Sequence, residues 1–486
     1  MSKEILNLAP KTVWEHFYSL TQIPRPSKKE EKVTLFLKEF GEKLNLETKV
    51  DHVGNVLIRK PATKGYEDRQ TIILQGHIDM VPQKNNDVEH DFDNDPIDAY
   101  IDGDWVTARG TTLGADNGMG VAATMAVLSD NTLEHGPIEG FFTVDEETGM
   151  TGAFEVKEDF LNGDILLNLD SEDEGELYIG CAGGVDTLAE FENKRANTPE
   201  NYKGYRLYVT GLKGGHSGLD INLGRGNAIK ILNRLMWTSE KEHGLLVNSF
   251  NSGDIRNAIP REGEAIVAVP EANAAAFEKA VVDYDALLKS ELHSIEPDVI
   301  FTAEAIETPK DVMETTAQKN LLDAVYGVPN GVYTMVADMP DVVETSTSLG
   351  VLQFNGDKIE ICTLQRSSVE SRKEDLCNMI RSVLEQAGGK VEHSGSYPGW
   401  NPNIKSPILK SMKEAYNVQF GKEPAVKVIH AGLECGIINA KYPNLDPISF
   451  GPTIRFPHSP DEKVNIATVQ KFWDFLVQTL KNAPKK

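Results

Sequence analysis

Apolar positions along this chain recur with two different periods, and the switching between them outlines the fold. In residues 10–20 and 27–44 they return every three to four positions, which predicts two amphipathic helices. Ser27 stands where an N-cap would, with Glu30 three residues on as its capping-box partner. Short apolar runs come next: 48–50 and 56–58 read as a hairpin-like pair turning at Gly54-Asn55, and 71–77 as a buried strand. Residues 83–104 carry Asp87, Glu89, Asp91, Asp93, Asp95 and Asp98. They read as a long solvated loop, because the spacing and terminal bidentate glutamate of an EF-hand are missing. Residues 111–118 form a turn that opens a helix through Leu128, and strands at 138–144 and 164–169 end on acidic residues. Strands alternating with helices predict an α/β sheet with function at the strand ends.

Near Gly183-Gly184 the pattern changes. From 205 to 304 the order is strand, helix (225–242), strand (245–250), strand (264–269), helix (272–292), strand (298–304), a ferredoxin-like β-α-β-β-α-β arrangement. A related set extends to about His393, with strands 349–354 and 358–364 and a helix over 369–386. After Gly395-Ser396-Tyr397-Pro398-Gly399 the alternation of the first part resumes. The expected division is therefore 1–183 and 397–486 as one domain, interrupted by an inserted domain at 184–396, with no low-complexity segment or solenoid period.

Bulk properties narrow the partners. The length of 486 residues suits two large domains or about three of ~150 residues. A formal charge of −25 argues against nucleic acid, which requires a cationic face. Cys181, Cys362, Cys377 and Cys435 are scattered and form no CxxC, as in a reducing compartment. The stretch Met1-Ser2-Lys3-Glu4-Ile5 lacks a cationic segment leading into an apolar one, and no run approaches ~18 apolar residues. The expectation is a cytoplasmic protein without membrane partners.

The chemistry-bearing residues each follow an apolar run or sit in a Gly- or Pro-rich turn, as expected at the mouth of a sheet. His77 and Asp79 in Gly76-His77-Ile78-Asp79-Met80 are two apart on an extended backbone and point to the same side. With His77 as a metal ligand, Asp79 can receive its other ring N–H and fix the tautomer. Asp116 is ordinarily read as a helix N-cap, and it is also the candidate for a carboxylate giving one oxygen to each of two cations. Glu146 and Glu147 leave their strand in different directions, so Glu147 can bind metal while Glu146 acts as general base. Asp170 ends another apolar run, with Glu172, Asp173, Glu174 and Glu176 close enough to compete for its role. His458 lies in the proline-held turn Phe456-Pro457-His458-Ser459-Pro460 and gains meaning only from the set. Two imidazoles, three carboxylates and a spare glutamate suit a pair of hydrolytic divalent cations roughly 3.5–4 Å apart. In Gly214-Gly215-His216-Ser217-Gly218 the glycines permit close backbone approach, so His216 is either part of a tight turn or a donor to a developing oxyanion. His430 and Glu434, four apart on a predicted helix, read as packing or substrate contact. No GxGxxG after a strand, Walker motif or GxSxG is present.

As an ordered set these residues resemble the co-catalytic zinc peptidases of the M20 family, closest in wording to its aminoacyl-histidine (Xaa-His) dipeptidase branch. The segments carrying the resemblance are 76–81, 112–118, 145–149, 168–170, 214–218, 430–434 and 457–460, in the family's order across almost the whole chain. It implies His77, Asp116, Glu147, Asp170 and His458 as ligands of two metal ions, with Asp116 bridging. These would be zinc, with cobalt and manganese as alternatives. It further implies Asp79 supporting His77, Glu146 as proton shuttle, and the inserted domain as a lid that often mediates homodimerisation. His216, Asn257, Arg366 and Gly432 would contact substrate, Arg366 as a clamp on a dipeptide carboxylate. The expected substrates are dipeptides, preferentially Xaa-His such as β-alanyl-histidine. An N-acyl-amino-acid amidohydrolase, a broad aminopeptidase and an inactive metal-binding scaffold are the competing readings.

Overall fold

The computed structural model describes residues 3–486; Met1 and Ser2, the first two residues of the stretch without a leader pattern, lie outside the described residues. The chain forms two compact units: Met1–Cys181, Trp400–Val428 and Leu433–Lys486 make the first, Ala182–Gly399 and Ile429–Gly432 the second. No helix of the described residues is long and apolar enough to cross a membrane.

The first unit is built on an eight-stranded sheet in the order Glu47–Val50, Val56–Lys60, Ile138–Thr143, Ile72–His77, Ile165–Asn168, Asp446–Ser449, Glu176–Cys181, Ala425–Ile429. Its centre is parallel: Ile72–His77 runs beside both Ile138–Thr143 and Ile165–Asn168, and Asp446–Ser449 runs beside Ile165–Asn168. Every residue of these first three strands is buried, which is why they do not read as alternation; Gln75 and Glu139 are the polar residues at their interior positions. Register pairs His77 with Thr143 and Gln75 with Asn168, so the residues after each of these strands emerge at one edge of the sheet. The helix Ala115–Ser129 is rich in alanine and glycine and lies close against this sheet; a Cβ on Gly120 would come within 2.5 Å of the Leu169 carbonyl oxygen.

Two expectations need correction here. The second helix spans Glu31–Lys43, and Ser27 does not cap it. The Ser27 hydroxyl instead donates to Asp79 Oδ2 at 2.8 Å, and Glu30 Oε1 accepts the N–H groups of Lys28 and Asp145. Distant carboxylate and amide partners outcompete the local box. The acidic loop is also shorter than read. Strand Ala99–Asp102 pairs with Trp105–Ala108, which in turn pairs with Lys463–Asn465, and Ile97, Ala99, Val106 and Ala108 are buried. Their alternation is masked in sequence by the aspartates between them.

The second unit contains a nine-stranded sheet in the order Ile300–Ile306, Tyr202–Thr210, Gly263–Pro270, Leu246–Ser252, Met339–Asn355, Lys358–Ser367, Gly183–Glu192, Lys390–Tyr397, with Gly331–Val336 added to Met339–Asn355. In chain order its first four strands sit 4-1-3-2, the ferredoxin-like order. The next four repeat the arrangement as 2-3-1-4, with Gly183–Glu192 as the first strand of that half although it precedes the other half in sequence. The halves join through a single pairing, Ser252 with Leu352. One apolar cluster including Tyr205, Phe250, Phe277, Val267, Leu352 and Ile361 runs beneath both. Phe250→Ala should cost about 3–5 kcal/mol through lost burial and the cavity left behind, seen as a lower urea midpoint for the second unit's transition.

Candidate metal centre

Three adjacent parallel strands deliver the site. His77 is the last residue of its strand and Asp79 comes two positions on; Glu146 and Glu147 come just after Ile138–Thr143, and Asp170 just after Ile165–Asn168. The chain turns sharply at Asp145 (φ 52°), whose carboxylate takes the hydroxyls of Thr148 and Thr151. Asp116 lies in the first turn of Ala115–Ser129, but with a non-helical backbone (φ −83°, ψ 111°). His458 comes from a distant turn (φ 59°).

These groups meet around one carboxylate. Asp116 Oδ1 lies 3.0 Å from His77 Nε2, and Oδ2 lies 3.1 Å from His458 Nε2. His77 Nε2 is 3.4 Å from Asp170 Oδ1, and His458 Nε2 is 2.9 Å from Glu147 Oε2. Among the described residues four groups bring donor atoms within 4.8 Å of one another: His77–Asp116–Asp170 and Asp116–Glu147–His458, which share Asp116, together with His77–Glu146–Glu147 and Glu30–Asp79–Asp145. Asp116 belongs to the first two, which could each hold a cation with a histidine and two carboxylates. Asp79 Oδ1 lies 3.3 Å from His77 Nδ1 and accepts the Glu146 N–H at 3.0 Å, while Oδ2 accepts the Glu147 N–H at 3.2 Å. One buried carboxylate thus orients the imidazole and the backbone of both glutamates. The Glu146 carboxylate accepts no hydrogen bond among the described residues, and an oxygen of it falls within the same 4.8 Å reach of His77 and Glu147.

The electrostatics show what such a cluster lacks. Burial pulls the His77 imidazolium down, yet Asp170, Asp116 and Asp79 outweigh it and hold its pKa well above the ordinary value. Burial, with Asp116 and Glu147 beside it, pushes Asp170 up to about 7, and burial likewise raises Glu146 well above the carboxylate range. Hydrogen bonds to Asp116 and Glu147 raise His458 to about 11. Glu147 Oε1 and Asp170 Oδ1 are buried without a hydrogen-bond partner. Burying this much negative charge is costly unless cations neutralise it. Nitrogen and oxygen donors, with no thiolate among them, suit hydrolytic divalent ions, so these residues fit a dinuclear metal centre.

Several supporting residues escaped sequence reading. Arg25, only 2% exposed, donates from Nη1 to the carbonyls of Ile78 and Asp79 and from Nη2 to that of Gly114. Asn117 Nδ2 donates to the Leu169 carbonyl at 2.6 Å, tying the Asp116 segment to that of Asp170. A buried polar belt crosses the sheet under the site: Glu434 accepts from Gln75 and Thr143, Asn168 donates to Gln75, and Ser449 donates to Asn168. Glu462 accepts four consecutive backbone N–H groups, those of residues 113–116. No local pattern marks these roles; partners lie 52 to 359 positions away in sequence. The reading of His430 and Glu434 as sharing a helix face is overturned. The helix is Glu434–Lys441, so His430 precedes it, and the two fall in different units.

In the second unit, His216, Arg366 and His430 gather around Gly218. A Cβ there would lie 3.1 Å from both His216 Cε1 and Arg366 Nε and 2.0 Å from the His430 carbonyl oxygen, leaving room only for glycine. His216 Nδ1 accepts the N–H groups of Gly218 (3.2 Å) and Leu219 (3.0 Å), so its ring proton resides on Nε2. Arg366 Nη1 donates to the Tyr397 hydroxyl at 2.9 Å, and its Nε is buried without a partner. Asn257 accepts the Ser217 N–H through its carbonyl, and Gly432 ends the Ile429–Gly432 segment. His430 Nε2 meets the Ser346 hydroxyl at 2.7 Å. Burial, with Arg366 and His216 opposing a further cation, pushes the His430 pKa down to about 3. The unfolded chain therefore takes up this proton first, near pH 6.5. The associated stability is complete above that pH and is lost as pH falls toward 3. In denaturation midpoints measured against pH, His430→Gln should flatten the decline below pH 6.5 by on the order of 1–3 kcal/mol.

A profile of peptidase family M20/M25/M40 matches residues 73–482. The chain is 43% identical over 483 residues to the cytosol non-specific dipeptidase of Escherichia coli (strain K12), covering 99% of this chain and 100% of that one. The crystal structure of aminoacylhistidine dipeptidase from Vibrio alginolyticus aligns with a TM-score of 0.96 at 46% identity, covering 100% of this chain and 99% of that one. Aminopeptidase PepT from Bacillus cereus ATCC 10987 shares the fold, with a TM-score of 0.62 at 16% identity and coverage of 98% and 99%.

Proposed function

This chain belongs to peptidase family M20/M25/M40 and is a dinuclear metallopeptidase, and we propose that it hydrolyses dipeptides, Xaa-His ones by preference, in the cytoplasm. The observation that carries the reading is the pair of ligand groups sharing Asp116, with the Glu146 carboxylate left free beside them. His77, Asp116 and Asp170 would hold one cation, and Asp116, Glu147 and His458 the other. Two divalent ions bound there, zinc first and cobalt or manganese as alternatives, lower the pKa of water and polarise the scissile carbonyl. Glu146 takes the proton from the attacking water and returns it to the leaving amine. Asp79 fixes the backbone from which Glu146 projects by accepting its N–H. In the second unit His216, its proton held on Nε2, is the donor for the developing oxyanion. Arg366, with Nε unspent, receives the substrate carboxylate, beside Asn257 and Gly432. The Xaa-His preference rests on the aminoacylhistidine dipeptidase from Vibrio alginolyticus, and the cytoplasmic location on the cytosol non-specific dipeptidase of Escherichia coli, whose name carries no such preference. Homodimerisation through the second unit is part of the same proposal.

The discriminating assay is hydrolysis of β-alanyl-histidine beside N-acetyl-histidine, using chelator-stripped protein with and without added zinc. Zinc-dependent cleavage of the free-amine dipeptide alone is expected. Cleavage of the blocked compound instead would move the protein to an amidohydrolase, and cleavage of neither would overturn the proposal. Glu146→Gln should keep both cations, measured by elemental analysis, and lose on the order of 10³-fold in kcat. Undiminished turnover would remove Glu146 from the proton relay.

A further inference from the structure

The turn that carries His458 also carries Glu462, and the two side chains grip one short segment from different sides. His458 Nε2 meets the Asp116 carboxylate at 3.1 Å. Glu462, 2% exposed, meets the backbone instead. Its Oε2 accepts the N–H groups of Leu113 (2.7 Å) and Gly114 (2.9 Å), and its Oε1 those of Ala115 (2.7 Å) and Asp116 (3.1 Å). Amides at a helix start have no intrahelical acceptor. Here Gly114 is left-handed at φ 71° and makes no side-chain cap, so the distant carboxylate supplies the acceptors for Gly114, Ala115 and Asp116. Glu462 is itself anchored: its N–H donates to the Ser459 carbonyl at 3.0 Å and its carbonyl accepts from Thr107 Oγ1 at 2.7 Å. The next residue begins strand Lys463–Asn465, paired with Trp105–Ala108. Arg25 Nη2 fixes the same loop through the Gly114 carbonyl at 2.5 Å.

We infer that Glu462 is a positioning residue of the metal centre, holding the backbone of Asp116 so that each of its carboxylate oxygens stays aimed at a different ligand group. The inference rests on the reading of Asp116 as the shared ligand. Asp116 is the one member common to both groups, so misplacing it weakens both cation sites together, whereas losing a ligand of one group weakens mainly that one. The requirement is for a carboxylate and not merely a polar side chain. In either orientation, a glutamine amide at 462 would turn its NH₂ against two backbone N–H donors.

The test is calorimetric titration of zinc into the chelator-stripped full-length protein, with hydrogen exchange of peptides covering 113–118 recorded before metal is added. The wild type should show two binding events and slow exchange. In E462Q both events should weaken, by about 10–100-fold as for partners that orient metal ligands, and exchange at 113–116 should quicken. E462D, with the charge kept on a shorter stem, should recover part of both readouts. H458A should weaken one event more than the other. Leu480→Ala, a core change near the end of helix Ile466–Lys481, should lower stability and leave both zinc events intact. Wild-type zinc binding in E462Q, or loss of one event only, would overturn the positioning role while leaving the peptidase reading in place. A loss matched by Leu480→Ala would assign the effect to general stability and overturn it equally. A wild type that binds no pair of zinc ions would remove the peptidase reading and this inference together.

Discussion

The first unit depends on how a folded chain can bury many carboxylates at one spot. Asp79, Asp116, Glu147, Asp170, Glu434 and Glu462 all converge on the ends of three parallel strands. Burial disfavours each charge, and each neighbour of like sign disfavours it further. The chain answers with two kinds of partner. Where a carboxylate has a structural task it is given backbone N–H donors, as Glu462 is by residues 113–116 and Asp79 by residues 146 and 147. Where backbone donors are withheld, as at Glu147 Oε1 and Asp170 Oδ1, the deficit is the one a divalent cation fills. Glu434 Oε1 is likewise left without a partner although Oε2 accepts from Gln75 and Thr143, so it is the clustering of donors around Asp116, and not an unpaired oxygen alone, that marks the centre.

The same device recurs in the second unit. Glu296 is fully buried and accepts the N–H groups of Lys213 and Gly226, closing the two ends of the loop that carries His216. Within that loop Asp220 Oδ2 accepts the His216 N–H at 2.8 Å and pairs with Arg225. A loop whose backbone is pinned at both ends holds its histidine in one tautomer and one direction, which is what a donor to a transient oxyanion requires. Loops in both units are thus tied by single buried carboxylates, a short-range means of rigidity that needs no additional secondary structure.

The elements that sequence reading located best were those whose whole environment is uniform. The strands at 72–77, 138–143 and 165–168 are buried on both faces, so apolar residues stand on both faces of each, with Gln75 and Glu139 as the interior polar exceptions. The ferredoxin-like segment at 205–304 was legible because helices and strands there keep clean periods. The strand Gly183–Glu192 was not, since it pairs with Lys358–Ser367 and Lys390–Tyr397, partners that lie far along the chain and leave no local mark. The hairpin Ala99–Asp102 with Trp105–Ala108 was hidden by aspartates on its solvent side, and Ser27 was misread because its local capping option lost to Asp79.

By itself the sequence determined which residue types stand at strand ends and in Gly- or Pro-rich turns, and hence the inventory of imidazoles and carboxylates at positions 77, 79, 146, 147 and 170 and, in turns, at 116 and 458. Strand ends can be read locally, because burial writes itself into consecutive residues. Only the tertiary structure decided that Asp116 presents opposite oxygens to His77 and His458, that Glu462 and Arg25 clamp its loop, and that His430 and Glu434 belong to different units. Those relations join residues up to several hundred positions apart. They are set by which buried donor meets which buried acceptor once the sheet has closed, a matching that no run of neighbouring residues encodes.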